Sequence, residues 1–245
     1  MRELSARFAV SPSTIRRDLE RLGADGHVAR TYGGAVGGIT RLERSLDERE
    51  RHRQAEKESI AAAADAMVGD GDVLILDAGS TIGRLAARLT FREGLTVITN
   101  GLNTLVTLAH APAVSVIVLG GTLRALNQAT LGPMAEDALR RVRADRAFIS
   151  GSAVHHLHGV AAPTLAHAHL KTVMIEQARE VVVLADHSKL DESPSQFWTP
   201  LERPWTLVTD AGADAQIRRR FEASAGARVV VAPGSNHLQE ERTQP

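Results

Sequence analysis

Ser80 and Thr81 stand side by side just after the apolar run Val73–Leu76 and the breaker Asp77-Ala78-Gly79. Strand, tight turn and amphipathic helix are expected there. Such a junction aims backbone N–H groups and the positive end of a helix beyond the strand, and the two hydroxyls add donors, so an anion is the natural guest. An ordinary N-cap by Ser80 is the plainer alternative. Lys171 and Lys189 have the charge to neutralise a phosphate or carboxylate, while Asp77, Asn100 and Asp186 carry the donors and acceptors that sugar hydroxyls require. Asp186 and Lys189 are equally suited to a plain salt bridge. Gly79, Gly120 and Gly121 would act by allowing close backbone approach. Arg124 fits either a ligand contact or a solvated loop charge.

Most of these residues follow apolar, β-branched runs, which recur at 73–76, 95–99, 114–119, 146–150, 181–185, 205–209 and 228–231 with helical patterns in most of the gaps. The pattern predicts an α/β domain with a mostly parallel sheet, in which ligands gather beyond the carboxyl ends of the strands. Those ends read Asp77-Ala-Gly-Ser-Thr, Thr99-Asn100, Gly120-Gly121, Gly151, Asp186-His-Ser-Lys189 and Thr209-Asp210. Turns alone explain Gly and Asp there, but not the repeated hydroxyl, amide and Lys.

Composition narrows the classes. Cysteine is absent from the 245 residues, which excludes disulfides, thiolate nucleophiles and cysteine-based zinc sites. No apolar run has the length of a membrane span and the start lacks a signal-peptide core, so a cytoplasmic protein without a membrane partner is expected. Lys plus Arg (29) equals Asp plus Glu (29), so only a local basic surface could draw nucleic acid. His155, His156, His158, His167 and His169 crowd together, but their i, i+2 spacings do not share a helix face and no carboxylate lies among them. No metal and no cofactor are expected.

A local basic surface does lie at the start. Leu4 and Phe8 fall four apart, Ala9-Val10-Ser11 interrupts, and from Pro12 onward Ile15, Leu19 and Leu22 share one helical face. Ser11 is placed to cap this second helix, and Ser13, Thr14, Arg16, Arg17 and Arg21 form its exposed face, suited to base edges and phosphates. Residues 27–31 suit a strand of a small wing, with Arg30 near a phosphate.

The string VSPSTIRRDLERLGADGHVARTYGGA resembles the winged helix-turn-helix of DeoR-family transcriptional regulators. DAGST, ITN, LGG with Gly132-Pro133, AFISG, Lys171-Thr-Val-Met and ADHSK resemble successive segments of that family's sensor domain, similar in fold to ribose-5-phosphate isomerase and coenzyme A transferases. The resemblance covers nearly all of residues 1–232. It implies a partial winged helix-turn-helix over 1–36 and an effector-binding sensor over 56–232, with a tail over 233–245; between them 37–55, opening on Gly37-Gly38 and rich in charge of both signs, reads as a linker, and the stretch DERERHRQAEKESIAAAADAMV that begins in it turns helical. Relatives carry another helix ahead of the point where this chain starts, so weak DNA binding by residues 1–35 is expected. They also often carry Glu where His167 stands, which bears on effector choice. What the resemblance implies is a repressor of carbohydrate-metabolism genes, a homodimer or homotetramer on a double-stranded operator, answering to a phosphorylated sugar. A phosphosugar isomerase-like enzyme is the alternative, with Asp77 or Asp186 as its base.

Overall fold

The computed structural model describes residues 5, 7, 8, 10, 11, 13–15, 17, 28–31, 34–37, 43–192, 195–224 and 226–234, with backbone alone at 28–31 and 34–37. The chain divides into two compact units, Met1–Arg44 and Ser45–Pro245.

In the first unit, Ser13, Thr14, Ile15 and Arg17 are helical. Ser11 caps them as expected, its Oγ accepting from Thr14 N at 3.1 Å and its carbonyl from Ile15 N at 3.1 Å. Ile15 is buried, whereas Ser13 and Arg17 are exposed and Thr14 is half-buried. β1 (Val28–Thr31) pairs antiparallel with β2 (Gly34–Gly37), giving the hairpin of a wing. Arg16, Arg21, the Arg30 side chain and the tail from 235 onward lie outside the described residues.

The second unit begins with two helices, α1 (Leu46–Arg51) and α2 (Gln54–Asp65). Residues 45–55, expected as linker, therefore belong to the compact unit. α1 lacks an apolar stripe, but a capping box holds it: Glu48 N donates to Ser45 Oγ (3.2 Å) and Ser45 N to Glu48 Oε2 (2.7 Å). Its one buried apolar residue is Leu46.

Strands and helices then alternate: β3 (Val73–Leu76), α3 (Ser80–Leu89), β4 (Thr96–Thr99), α4 (Leu102–Leu108), β5 (Ser115–Val118), the hairpin β6 (Thr122–Arg124) and β7 (Ala129–Leu131), α5 (Pro133–Leu139) and β8 (Ala144–Ile149). The short strands β9 (Val154–His155) and β10 (Gly159–Ala162) precede α6 (Leu165–Gln177), β11 (Ala178–Leu184), β12 (Phe197–Thr199), β13 (Trp205–Asp210), α7 (Ala215–Ala223) and β14 (Ala227–Ala232). Seven strands form one parallel sheet in the order β14-β13-β11-β8-β3-β4-β5, and they fall on the seven apolar runs of the sequence.

Side-chain alternation divides the core between the two faces of this sheet. Leu74, Leu76, Val97, Phe148 and Val182 pack with Ile60 of α2 and with Ile82, Leu85 and Leu89 of α3. Ile75, Ile98, Ile149 and Val183 turn the other way, onto Leu139 of α5, Leu170 and Met174 of α6 and Phe221 of α7. Each fully buried Leu or Ile contributes about 1.5–3 kcal/mol, so the sheet is a rigid platform for the loops at its edge. Chain order reverses between β3 and β8, which places a topological switch point, and the crevice such points create, beyond their carboxyl ends.

Candidate effector site

At the switch point Asp77 leaves β3 and Ser150 leaves β8. Asp77 N donates to Phe148 O (3.1 Å), Ser150 N to Asp77 Oδ2 (3.0 Å) and Ser150 Oγ to Ala78 O (3.3 Å). Lys171 of α6 closes the arrangement, its Nζ donating to Asp77 Oδ2 and, at 2.7 Å, to Ser150 O. Asp77 and Lys171 are both buried. An ion pair at that depth braces the fold more than it waits for a ligand, because either charge left alone would be strongly unfavourable.

Gly79 is the N-cap of α3 and offers no side chain, so the helix starts without a side-chain cap. Ser80 is its first residue and not a cap, which overturns the plainer reading of the sequence. Gly79 packs closely on Ser150: a Cβ there would stand 2.5 Å from Ser150 Oγ and turn that hydroxyl aside. Ser80 (6 % exposed) and Thr81 (1 %) are buried, and Thr81 Oγ1 has no hydrogen-bond partner among the described residues. A buried hydroxyl without a partner costs about 1–3 kcal/mol, and here it lies beside the first N–H groups of an uncapped helix.

The neighbouring strand end repeats the theme. α4 starts at Gly101, again without a side-chain cap, and a Cβ at Gly101 would meet Ala78 Cα at 3.1 Å, so the two loops abut. Asn100 donates to Thr130 O (3.2 Å), but its Oδ1 is buried without a partner among the described residues, as are Asn103 Oδ1 and Thr104 Oγ1. Asn103 and Thr104 were not singled out in the sequence. Gly121 (φ +120°) has a backbone role, since a Cβ there would strike Leu131 O at 2.3 Å; Gly120 is exposed beside it.

Positive charge collects on the other side of the switch point. Lys189 Nζ donates to Gly151 O (3.1 Å) and lies 4.0 Å from Asp186 Oδ2, so the simple ion pair is loose. Burial lowers the Lys189 pKa, and Asp186 offsets part of that. Burial alone would raise Asp186, but Lys189, the Ser188 hydroxyl, Arg53 and Lys57 outweigh it and hold the carboxyl below its ordinary value.

Two further cations come from the segment expected to be linker or its edge. Arg53, in the left-handed region at φ 50°, sends Nη1 to His187 Nε2 (3.0 Å) and Glu56 Oε1 (3.2 Å), with Nε 3.6 Å from Asp186 Oδ1. His187 is oriented by Asp210, whose Oδ2 lies 2.7 Å from His187 Nδ1. Lys57 is 2 % exposed, and its ammonium donates to the carbonyls of Arg49 and His52 (2.6 Å for the latter), ending α1. Burial first, then Lys189, lowers its pKa to about 8. Lys57 was not singled out in the sequence, where it stands in a run of charges; the fold buries it.

The histidines separate. His167 sits in the first turn of α6, buried, with Nε2 2.8 Å from Asn127 Nδ2 and Nδ1 2.7 Å from Thr164 Oγ1. Arg124 reaches the same chain through Asn127 Oδ1 (3.2 Å). His155 and His156 lie on the β9–β10 hairpin, where Asp191 supplies a carboxylate that was not apparent from sequence neighbours.

An isomerase base is not set up here. Asp77 is held by Lys171, Ala78 N and Ser150 N, and Asp186 by Ser188. A capped helix with a wing hairpin, in one chain with a doubly wound sheet, is the plan of a DNA-binding regulator with a second domain. Residues 52–211 match the family model of the DeoR C terminal sensor domain and residues 1–37 that of the DeoR-like helix-turn-helix domain. The chain belongs to the DeoR family of DNA-binding transcriptional regulators. It is 32 % identical to the transcriptional repressor AccR of Agrobacterium fabrum, covering 85 % of this chain and 82 % of the relative. It is 31 % identical to the lactose phosphotransferase system repressor of Lactococcus lactis, covering 90 % and 88 %. Ribose 5 phosphate isomerase A from Neisseria gonorrhoeae is similar over 54 % of this chain and 52 % of its own, at 17 % identity and a TM-score of 0.41. No helix among the described residues is long and apolar enough to cross a membrane.

Proposed function

We propose that this chain represses carbohydrate-metabolism genes in the cytoplasm and that a phosphorylated sugar, bound at the crest of the sensor unit, modulates its hold on a double-stranded operator. The observation that carries this is the uncapped start of α3, with the buried, partnerless hydroxyl of Thr81 beside it. A phosphate there would accept from the first N–H groups and from Ser80 and Thr81. Asn100 and Asp186 would take sugar hydroxyls, and Lys189 the charge. Asp77 and Lys171 would hold the two strand ends at the right separation, with Gly79, Gly120 and Gly121 shaping the loops. A relative named for the lactose phosphotransferase system supports a sugar-related role.

Response follows from the same geometry. Arg53 and Lys57 belong to the first segment of the second unit, and Arg53 already bears on His187 and Asp186. An anion near Lys189 competes for these cations and so biases that segment. On the DNA side, Ser13, Thr14, Arg16, Arg17 and Arg21 would face the major groove and Arg30 a phosphate, in a homodimer or homotetramer matched to paired half-sites. Gel shifts with genomic fragments, with and without a panel of sugar phosphates, test this. A fragment bound by the protein and released by one phosphorylated sugar is expected; specific binding that no sugar phosphate alters would refute the effector half, and absence of specific binding the DNA half.

A further inference from the structure

Away from the strand-end crest, the β9–β10 hairpin meets the loop after β11. One ligand atom each of His155, His156 and Asp191 lie within 4.8 Å of one another. His156 Nδ1 is 2.6 Å from Asp191 Oδ1, while His155 Nδ1 accepts from Leu157 N at 3.1 Å, so a metal on His155 takes the place of that N–H at Nδ1 or of the ring proton at Nε2. The rings of His156 and His158 flank that of His155, with centroids 4.6 and 4.4 Å away. All three proposed ligand residues are half-buried, so the cluster is shaped by the fold but open to solvent.

We propose that His155, His156 and Asp191 form a binding site for a divalent transition-metal ion of the zinc, cobalt or nickel class. Two imidazoles and a carboxylate are the donor set that such ions take, with a fourth position left to water. In a tetrahedral site with bonds of about 2.0–2.1 Å, ligand atoms stand about 3.4 Å apart, so separations of up to 4.8 Å would close by about an ångström and a half while the His156–Asp191 pair, at 2.6 Å, would open by just under one. The metal takes the place of the proton now held between His156 Nδ1 and Asp191 Oδ1, and the ring proton passes to Nε2. A cation already sits on the other oxygen of the carboxylate: Arg220 Nη1 lies 2.8 Å from Asp191 Oδ2. Its charge opposes a metal, which makes Arg220 a lever in the test.

Occupancy would matter to the sensor. Asp191 is two residues beyond Lys189, its N–H donates to Val154 O (2.8 Å), and it holds a left-handed backbone at φ 57°. A bound metal would fix the loop that carries Asp186 and Lys189 to the hairpin. The site stands on its own geometry and does not depend on the identity of the effector.

The experiment is calorimetric titration of the full chain, free of any affinity tag, with zinc chloride, and visible spectroscopy of the same protein with cobalt(II). One metal per chain is expected, with the ligand-field bands of a low-coordinate cobalt site. His155→Ala and Asp191→Asn should each weaken zinc by at least about tenfold, since even outer-sphere partners of a metal are worth about 10–100-fold. Arg220→Ala should tighten it, and His110→Ala, at an exposed histidine elsewhere, should leave it unchanged. His155→Ala is the safer variant, because His155 does not hold Asp191. No zinc binding at micromolar concentration, binding that survives in His155→Ala, or binding weakened by Arg220→Ala would each overturn the proposal.

Discussion

Replacing Thr81 by Val keeps the shape of the side chain and removes only the hydroxyl. Thr81 is 1 % exposed and its Oγ1 has no partner among the described residues. A buried polar group in that condition costs about 1–3 kcal/mol, so the ligand-free protein should gain about 1 kcal/mol, which for a unit of this size raises Tm by about 2–4 °C. With ligand the sign reverses, because a hydrogen bond to a charged group contributes about 1.5–3 kcal/mol. Affinity for the phosphorylated sugar should fall by about tenfold to a hundredfold. The assay is paired: scanning calorimetry without ligand, then titration with it. A variant that melts lower than the wild type when unliganded, or binds the sugar phosphate as tightly, would show that the hydroxyl is already used inside the fold and would remove the basis for the anion site.

Three more expectations follow from individual contacts. Lys171→Met leaves the Asp77 carboxyl buried without its partner, so denaturant unfolding should show a loss of about 3–5 kcal/mol, and the double change Asp77→Asn with Lys171→Met should recover part of it; a loss under about 1 kcal/mol would contradict the brace. Lys57, at about 8, titrates below the ordinary lysine value of 10.5, so between those pH values the unfolded chain holds a proton that the folded chain has released. Stability of the wild type relative to Lys57→Met should therefore rise with pH across that window by on the order of 1 kcal/mol per pH unit, and anion binding should take up protons near pH 8 and weaken above it; a flat difference would place the lysine in solvent. Arg17→Ala should weaken operator binding by about 1–3 kcal/mol if the side chain reads a base, or flatten the salt dependence if it meets phosphate; binding unchanged in both respects would remove Arg17 from the DNA face.

The seven strands were legible because parallel strands buried on both faces are written as continuous apolar runs, and Ser80-Thr81 because a helix start after a strand is local information. What holds α1 in place was not legible. Its DERER core has no apolar stripe, and its hold on the fold comes from Leu46, a capping box and the ammonium of Lys57 in the next helix. Lys171 could be singled out but its occupation by Asp77 could not, because 94 residues separate the pair. Asp191 joined the histidines in the same way, across 35 residues of chain. What sequence spacing conceals in each case is a contact made by topology.

The central claim is that the crest of the sensor unit recognises a phosphate. Isothermal titration of the wild-type protein with matched pairs, each sugar phosphate against its unphosphorylated parent, tests it most directly. The account predicts that at least one phosphorylated member binds and that its parent binds at least about a hundredfold more weakly, since the parent forfeits charge-assisted hydrogen bonds worth about 1.5–3 kcal/mol each. A free sugar that binds as tightly as its phosphate, or a broad panel in which no phosphate binds, would contradict it.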